Sequence, residues 1–213
     1  MTESLMRSSM RSSLALSPAL VLLAALAASP PLQAQESTTR GFNVGAHISG
    51  QSLTPQDGDR SNTGGLGIIL GYGFNRNFEL FLQFDGGQFD VANAAVEGDW
   101  TMVHGDLGVR YHFANSLRTW VPYVQAAFTG RDVSVTNGRV HQDTQSEDIT
   151  LSGTAITLGG GILFYFNETL AADLQLALSG GRFTDIKVGT VTSNNADLDA
   201  QSTRFNVGVS WWP

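Results

Sequence analysis

Beyond an apolar leader, the chain repeats one pattern about eight times: roughly ten residues in which apolar side chains alternate with small or polar ones. Leu66, Ile68, Leu70, Tyr72 and Phe74 alternate with Gly65, Gly67, Ile69, Gly71 and Gly73. After Asn75-Arg76-Asn77 the pattern restarts as Phe78, Leu80, Leu82 and Phe84 against Glu79, Phe81, Gln83 and Asp85. A period of two is that of a β-strand with two different faces. Segments of this length suffice to cross a bilayer at a tilt. The pattern predicts an all-β fold, an eight-stranded antiparallel up-and-down transmembrane β-barrel.

Strands are expected near residues 40–50, 64–74, 78–88, 99–113, 120–130, 152–166, 169–180 and 200–212. Short connections near 75–77, 114–119 and 167–168 carry turn formers such as Asn75, Asn77, Asn115 and Asn167. They alternate with longer polar ones near 51–63, 89–98, 131–151 and 181–199. Folding the second and third strands about Arg76 sets Phe74 opposite Phe78, Leu70 opposite Leu82 and Ile68 opposite Phe84. Folding the sixth and seventh about Glu168 sets Phe166 opposite Leu170, Ile162 opposite Leu174 and Leu158 opposite Leu178. Both registers gather the apolar positions on one face, and a one-residue slip would send charges there instead. Leu70, Leu82, Leu174 and Val207 are expected to face hydrocarbon, where an Arg would cost roughly 2–4 kcal/mol. Gly71→Ser on the other face is expected to cost less.

Residues 1–34 read as a secretory signal. Arg7 and Arg11 give a positive start, Leu14 to Ala28 an apolar core, and Leu32-Gln33-Ala34 a small-residue cleavage site. Residues 35–213 would then be a single outer-membrane β-barrel domain. The 12 basic and 19 acidic residues give a net charge of −7, and losing the leader, with two Arg and one Glu, makes it one unit more negative. Such a balance does not suit nucleic acid. Cysteine is absent, which excludes a disulfide framework and a thiol nucleophile.

The face opposite the apolar one carries Glu79, Gln83, Asp85, His104, Asp106, Arg110, His112, Asp173, Gln175, Arg204 and Asn206. An eight-stranded lumen is filled by side chains, so these should form a packed polar core in which each buried charge needs a partner. One register of the third and fourth strands sets Glu79 opposite Arg110, Gln83 opposite Asp106 and Asp85 opposite His104, with Phe81 over Gly108. The expected lumenal network is Glu79, Asp85, His104, Asp106, Arg110, Asp173 and Arg204, with Glu79–Arg110 as an ion pair. Phe42, Phe74, Phe78, Tyr111, Phe113, Trp120, Phe164, Phe166 and Trp211 fall where strands meet the short turns, as an interfacial aromatic girdle would.

These features resemble the OmpA/OmpX-like family of small outer-membrane barrels over the whole mature chain. The segment Pro122-Tyr123-Val124-Gln125-Ala126 is similar to the family's fifth strand. The last strand, Phe205 to Trp212, resembles the signal read by the barrel-assembly machinery, although the family ends on Phe or Trp and this chain on Pro213. The resemblance implies the cell outer membrane of a Gram-negative bacterium, with lipid and lipopolysaccharide as surroundings. It also implies the barrel-assembly machinery as a partner, a monomeric state, and a structural or surface-interaction role through four extracellular loops that could meet a host or surface ligand. No domain is expected after the barrel, and so no peptidoglycan-binding module such as full-length OmpA proteins carry.

The rival reading is a soluble, secreted or periplasmic lipocalin-like barrel with an apolar ligand inside; it would put the charged face in water and need no girdle. A further alternative is a lipid A-modifying barrel enzyme, because His47-Ile48-Ser49 resembles the motif of lipid A deacylases. The pair sits on the first strand, its side chains point away from lipid, and no carboxylate third member is identifiable. Asp57-Gly58-Asp59, Asp143, Glu147 and Asp148 lack the spacing of a calcium loop, and His104, His112 and His141 lack that of a zinc site. The glycine runs 64–67 and 159–161 lie within strands, where small wall residues leave room for bulky neighbours. The expectation is a non-catalytic protein without cofactor or metal.

Overall fold

The computed structural model describes residues 39–55, 61–89, 96–113, 119–140, 147–188, 191–193 and 198–213. The leader and its cleavage site, Asp57-Gly58-Asp59, Asn115, His141 and Asp143 lie outside them. The described strands are β1 (Gly41–Pro55), β2 (Ser61–Gly73), β3 (Phe78–Phe89), β4 (Val96–His112), β5 (Trp120–Val140), β6 (Glu147–Tyr165), β7 (Leu170–Val188), β8 (Val191–Ser193) and β9 (Leu198–Trp211). Each pairs antiparallel with its chain neighbour from β1 to β7; β7 pairs with β9 and β9 with β1, which closes the wall at eight strands. The short β8 only extends β7, with Val188 opposite Val191.

Both turn-anchored registers are as the sequence predicts: Leu70 faces Leu82 and Ile68 faces Phe84, while Ile162 faces Leu174 and Leu158 faces Leu178. The turns are built by their asparagines. Asn75 Oδ1 accepts from the amides of Asn77 (2.8 Å) and Phe78 (3.0 Å), and Asn167 Oδ1 accepts from those of Thr169 (2.9 Å) and Leu170 (2.8 Å). Following each register around the wall takes Val44 to Leu70, Leu82, Leu107, Phe128, Ile156, Gly180 and Gln201, and back to β1 at Thr54. The path returns ten residues further along, a shear that tilts eight strands by about 40°.

Several strands outrun their predicted ends. β1 continues to Pro55, β5 to Val140 and β7 to Val188, and β6 begins at Glu147. Much of the expected long loops is therefore hairpin. The reason lies on the outer face of β5, which changes from Val124 and Phe128 to Asp132, Ser134 and Thr136. Apolar alternation stops where the wall leaves hydrocarbon, whereas the pairing continues into water, supported by β-branched residues such as Val133 and Val135.

Candidate functional site

The outer face is apolar at mid-height. Leu70, Leu82, Leu107, Phe128, Leu158, Leu174, Val207 and Val44 are all exposed, one from each wall strand, although a water-soluble wall would bury or replace them. Nine residues of β7, Leu170 to Leu178, mark a band on the order of 20–25 Å tall. At the short-turn end the outward aromatics touch edge to face: Phe42 with Tyr72 and Tyr72 with Phe74 at 5.2 and 5.3 Å, Phe78 with Tyr111 and Tyr111 with Phe113 at 5.1 Å each. Trp120, Phe164 and Trp211 are exposed on the same side, and Phe166 is half-buried. No described helix is long and apolar enough to cross a membrane; the crossing elements here are strands.

The lumen is stacked in layers. Nearest the short turns lies an apolar cluster of Val121, Leu163, Tyr165, Ala171 and Trp212, with the Tyr165 and Trp212 rings 5.7 Å apart. Above it sits the first charged group. Glu79 Oε1 accepts from Asn43 Nδ2 (2.7 Å), and Glu79 Oε2 is hydrogen-bonded to His112 Nε2 (2.8 Å). Arg110 donates through Nε and Nη2 to Gln125 Oε1 (3.2 and 3.1 Å) and lies over the Tyr123 ring at 4.0 Å. Its Nη1 is 3.5 Å from Asp173 and 3.8 Å from Glu79, and Asp173 accepts from the Tyr123 hydroxyl at 2.7 Å.

The register Glu79 opposite Arg110 is as predicted, and the two form the expected ion pair at 3.8 Å. The two charges are near without a hydrogen bond, because Asn43 and His112 take the carboxylate and Gln125 takes the guanidinium. A layer of amides follows. Gln175 Nε2 donates to Gln83 Oε1 (3.1 Å) and Gln125 Oε1 (2.9 Å), Gln83 Nε2 donates to Asp85 Oδ2 (2.8 Å), and Asn206 Nδ2 donates to Gln175 Oε1 (2.5 Å). A cavity of about 10 Å³ beside Arg110, Gln175 and Asn206 has room for about one water.

The second charged group is centred on Arg204, which donates to Asp85 Oδ2 (2.6 Å) and Asp106 Oδ2 (2.5 Å). His47 Nε2 is 2.6 Å from Asp85 Oδ1. Here the side chains depart from the predicted pairs, although Asp85 and His104 are opposite in register. Asp85 turns to Arg204 and His47, and His104 Nε2 is instead 3.5 Å from Ser202 Oγ. Hydroxyls complete the layer, Thr129 with Thr157 at 2.5 Å and Thr157 with Ser179 at 2.6 Å. A second apolar cluster, Met102, Val133, Phe183 and Ala200 with Leu53, Trp100 and Leu151 against it, closes the long-hairpin end.

Six of the seven predicted network residues are buried inside the barrel, and Asp173 is half-buried there. Asn43, His47, Tyr123, Gln125 and Arg131 belong to the same lumen. Strand parity finds the first four; Arg131 follows the predicted end of the fifth strand and so escapes. The carboxylate beside His47 that the sequence does not identify is Asp85. Even so, Ser49 Oγ is buried without a hydrogen-bond partner, so no nucleophile–base bond is formed. The inward glycines make room as expected. A Cβ on Gly71 would overlap Glu79 Oε1, and one on Gly67 would overlap His47 Nε2 and stand 2.6 Å from Asp85 Oδ1. Gly71→Ser is therefore not the mild change expected, since Glu79 cannot withdraw without losing Asn43 or His112.

Comparison with known proteins agrees with this geometry. The chain aligns with the structure of Neisserial surface protein A at a TM-score of 0.60 and 17% identity, over 80% of this chain and 96% of that one. It aligns with Ail, the attachment invasion locus protein of Yersinia pestis, at a TM-score of 0.52 and 11% identity, over 81% of this chain and all of the other, 100%. Among curated proteins no sequence matches it. The family model described as outer membrane protein beta-barrel domain matches residues 19–211. An apolar outer belt, an aromatic girdle and a closed eight-stranded wall thus meet a family match over nearly the whole sequence: the chain belongs to the outer membrane protein beta-barrel domain family and resides in the outer membrane.

Proposed function

We propose that this barrel is a non-catalytic anchor that holds its long hairpins at the cell surface, where they act in structural or binding contacts, and that its lumen is no route for solutes. The observation that carries the reading is the filling of the lumen: two charged groups bridged by amides, with an apolar cluster at either end. Short turns face the periplasm and longer connections the exterior in such barrels, so the extended β5, β6 and β7 ends would stand outside. Residues 1–34 would be a cleaved export signal, and the strand ending at Trp211-Trp212 would engage the assembly machinery. Ail is named for attachment and invasion; at this identity the likeness supports a shared architecture and leaves any ligand of this chain open.

The test has two arms. Purified monomer in planar bilayers should give no large, steady conductance. A chain with the β5–β6 hairpin shortened beyond Ser134 and Thr150 should still fold in lipid, seen as a heat-modifiable band, while losing whatever surface binding the intact protein shows. A stable porin-like current from the monomer would overturn the closed-lumen reading, and hydrolysis of lipid A by the purified protein would overturn the non-catalytic one.

A further inference from the structure

Arg131 is the one described lumenal charge whose environment does not answer it. Its side chain is 1% exposed, and the adjoining position on β4 is His104. Nη2 donates to the carbonyl of Ala200 at 3.0 Å and the guanidinium carbon stands 4.6 Å from the Phe183 ring centroid. Nε and Nη1 have no hydrogen-bond partner, and among the described residues no carboxylate pairs with it. The neighbouring acids are committed, since Asp85 and Asp106 both accept from Arg204. Gln51, buried in the same upper part of the lumen on β1, also leaves both amide atoms unpaired, and its Nε2 is a second available donor.

A buried cation with two unused N–H groups costs several kcal/mol unless an anion answers it. An arginine fork with two unused N–H groups is a ready anion site, to which a buried amide can add a donor. Met102, Val133 and Phe183 belong to an apolar cluster at this end of the lumen, which favours a single-atom anion over a phosphate or a sulfated sugar, whose several oxygens would each need a donor. We infer that the extracellular end of the lumen holds a small inorganic anion of chloride size, bound by Arg131 with Gln51 assisting. This goes beyond the surface role proposed above, and either can fail without the other.

The test is a urea titration of the full-length barrel in lipid vesicles, run in sodium chloride and in sodium gluconate at equal ionic strength. Chloride should raise the folded-to-unfolded ratio about threefold at a concentration roughly twice its dissociation constant. Arg131→Gln should abolish the difference between the salts, and Arg182→Gln, on the exposed outer side of β7, should keep it. Crystals grown in bromide provide a measurement independent of the variant's folding: an anomalous peak should lie within hydrogen-bonding distance of the Arg131 guanidinium. Equal titrations in the two salts, a chloride effect that survives Arg131→Gln, or bromide absent from the guanidinium would each overturn the site.

Discussion

At the scale of single residues, the lumen distinguishes pairs that touch from pairs that merely neighbour. Arg204 hydrogen-bonds two carboxylates directly, whereas Arg110 hydrogen-bonds an amide and stands 3.5 and 3.8 Å from its two acids. Arg204→Leu should therefore strand two buried carboxylates and destabilise by about 3–5 kcal/mol. In double-mutant cycles the Arg204–Asp85 coupling should exceed that of Arg110–Glu79; equal couplings would show that the bonding pattern is misread. Glycines divide in the same way. Gly71→Ser pushes into a held carboxylate and should cost about 1–3 kcal/mol, as overpacking does. Gly64→Ser, where an added Cβ meets nothing within 4 Å, should be nearly neutral. Urea midpoints of the two variants side by side decide this, and a larger loss at Gly64 would refute it.

At the scale of elements, the hairpins were the most legible part of the sequence. Leu70 opposite Leu82 and Leu158 opposite Leu178 follow from turn position and period alone, because a two-faced strand between lipid and a packed lumen tolerates no slip. Strand ends were not legible, since the lipid-facing pattern records the edge of the membrane and the hydrogen-bonded ladder does not stop there. Arg131 was lost to the same cause, one residue past the last lipid-facing glycine of β5. Side-chain partners were the least legible. Register sets Asp85 opposite His104, but three strands converge on that carboxylate across the lumen, and His47 and Arg204 reach it first. The outer face gives the check on the element reading. Leu82→Arg or Leu174→Arg at mid-belt should cost roughly 2–4 kcal/mol in lipid, and Thr136→Arg, beyond the belt, close to nothing. A flat profile of cost against height would mean that the belt is drawn in the wrong place.

At the scale of the whole molecule, the wall closes only because every register agrees with the next, so that Val44 is carried around to Thr54. That closure gives the strands a reading frame of two. Deleting Leu82 alone would turn one end of β3 inside out, sending Glu79 toward lipid and Phe78 and Leu80 into the charged layer. The chain should then fail to give a folded band in vesicles. Deleting Leu82 and Gln83 together keeps the frame, and a folded though weakened band should return; two equally unfolded products would argue that volume, not parity, governs the wall. Above the belt the outward face of the hairpins meets water, so a change of frame there sends no charge into lipid and costs less than in the wall. Length can therefore change one residue at a time in the exposed hairpins, whereas the membrane wall admits only paired changes. The same fold is thus rigid in its arithmetic where it crosses lipid and free to vary where it meets the outside.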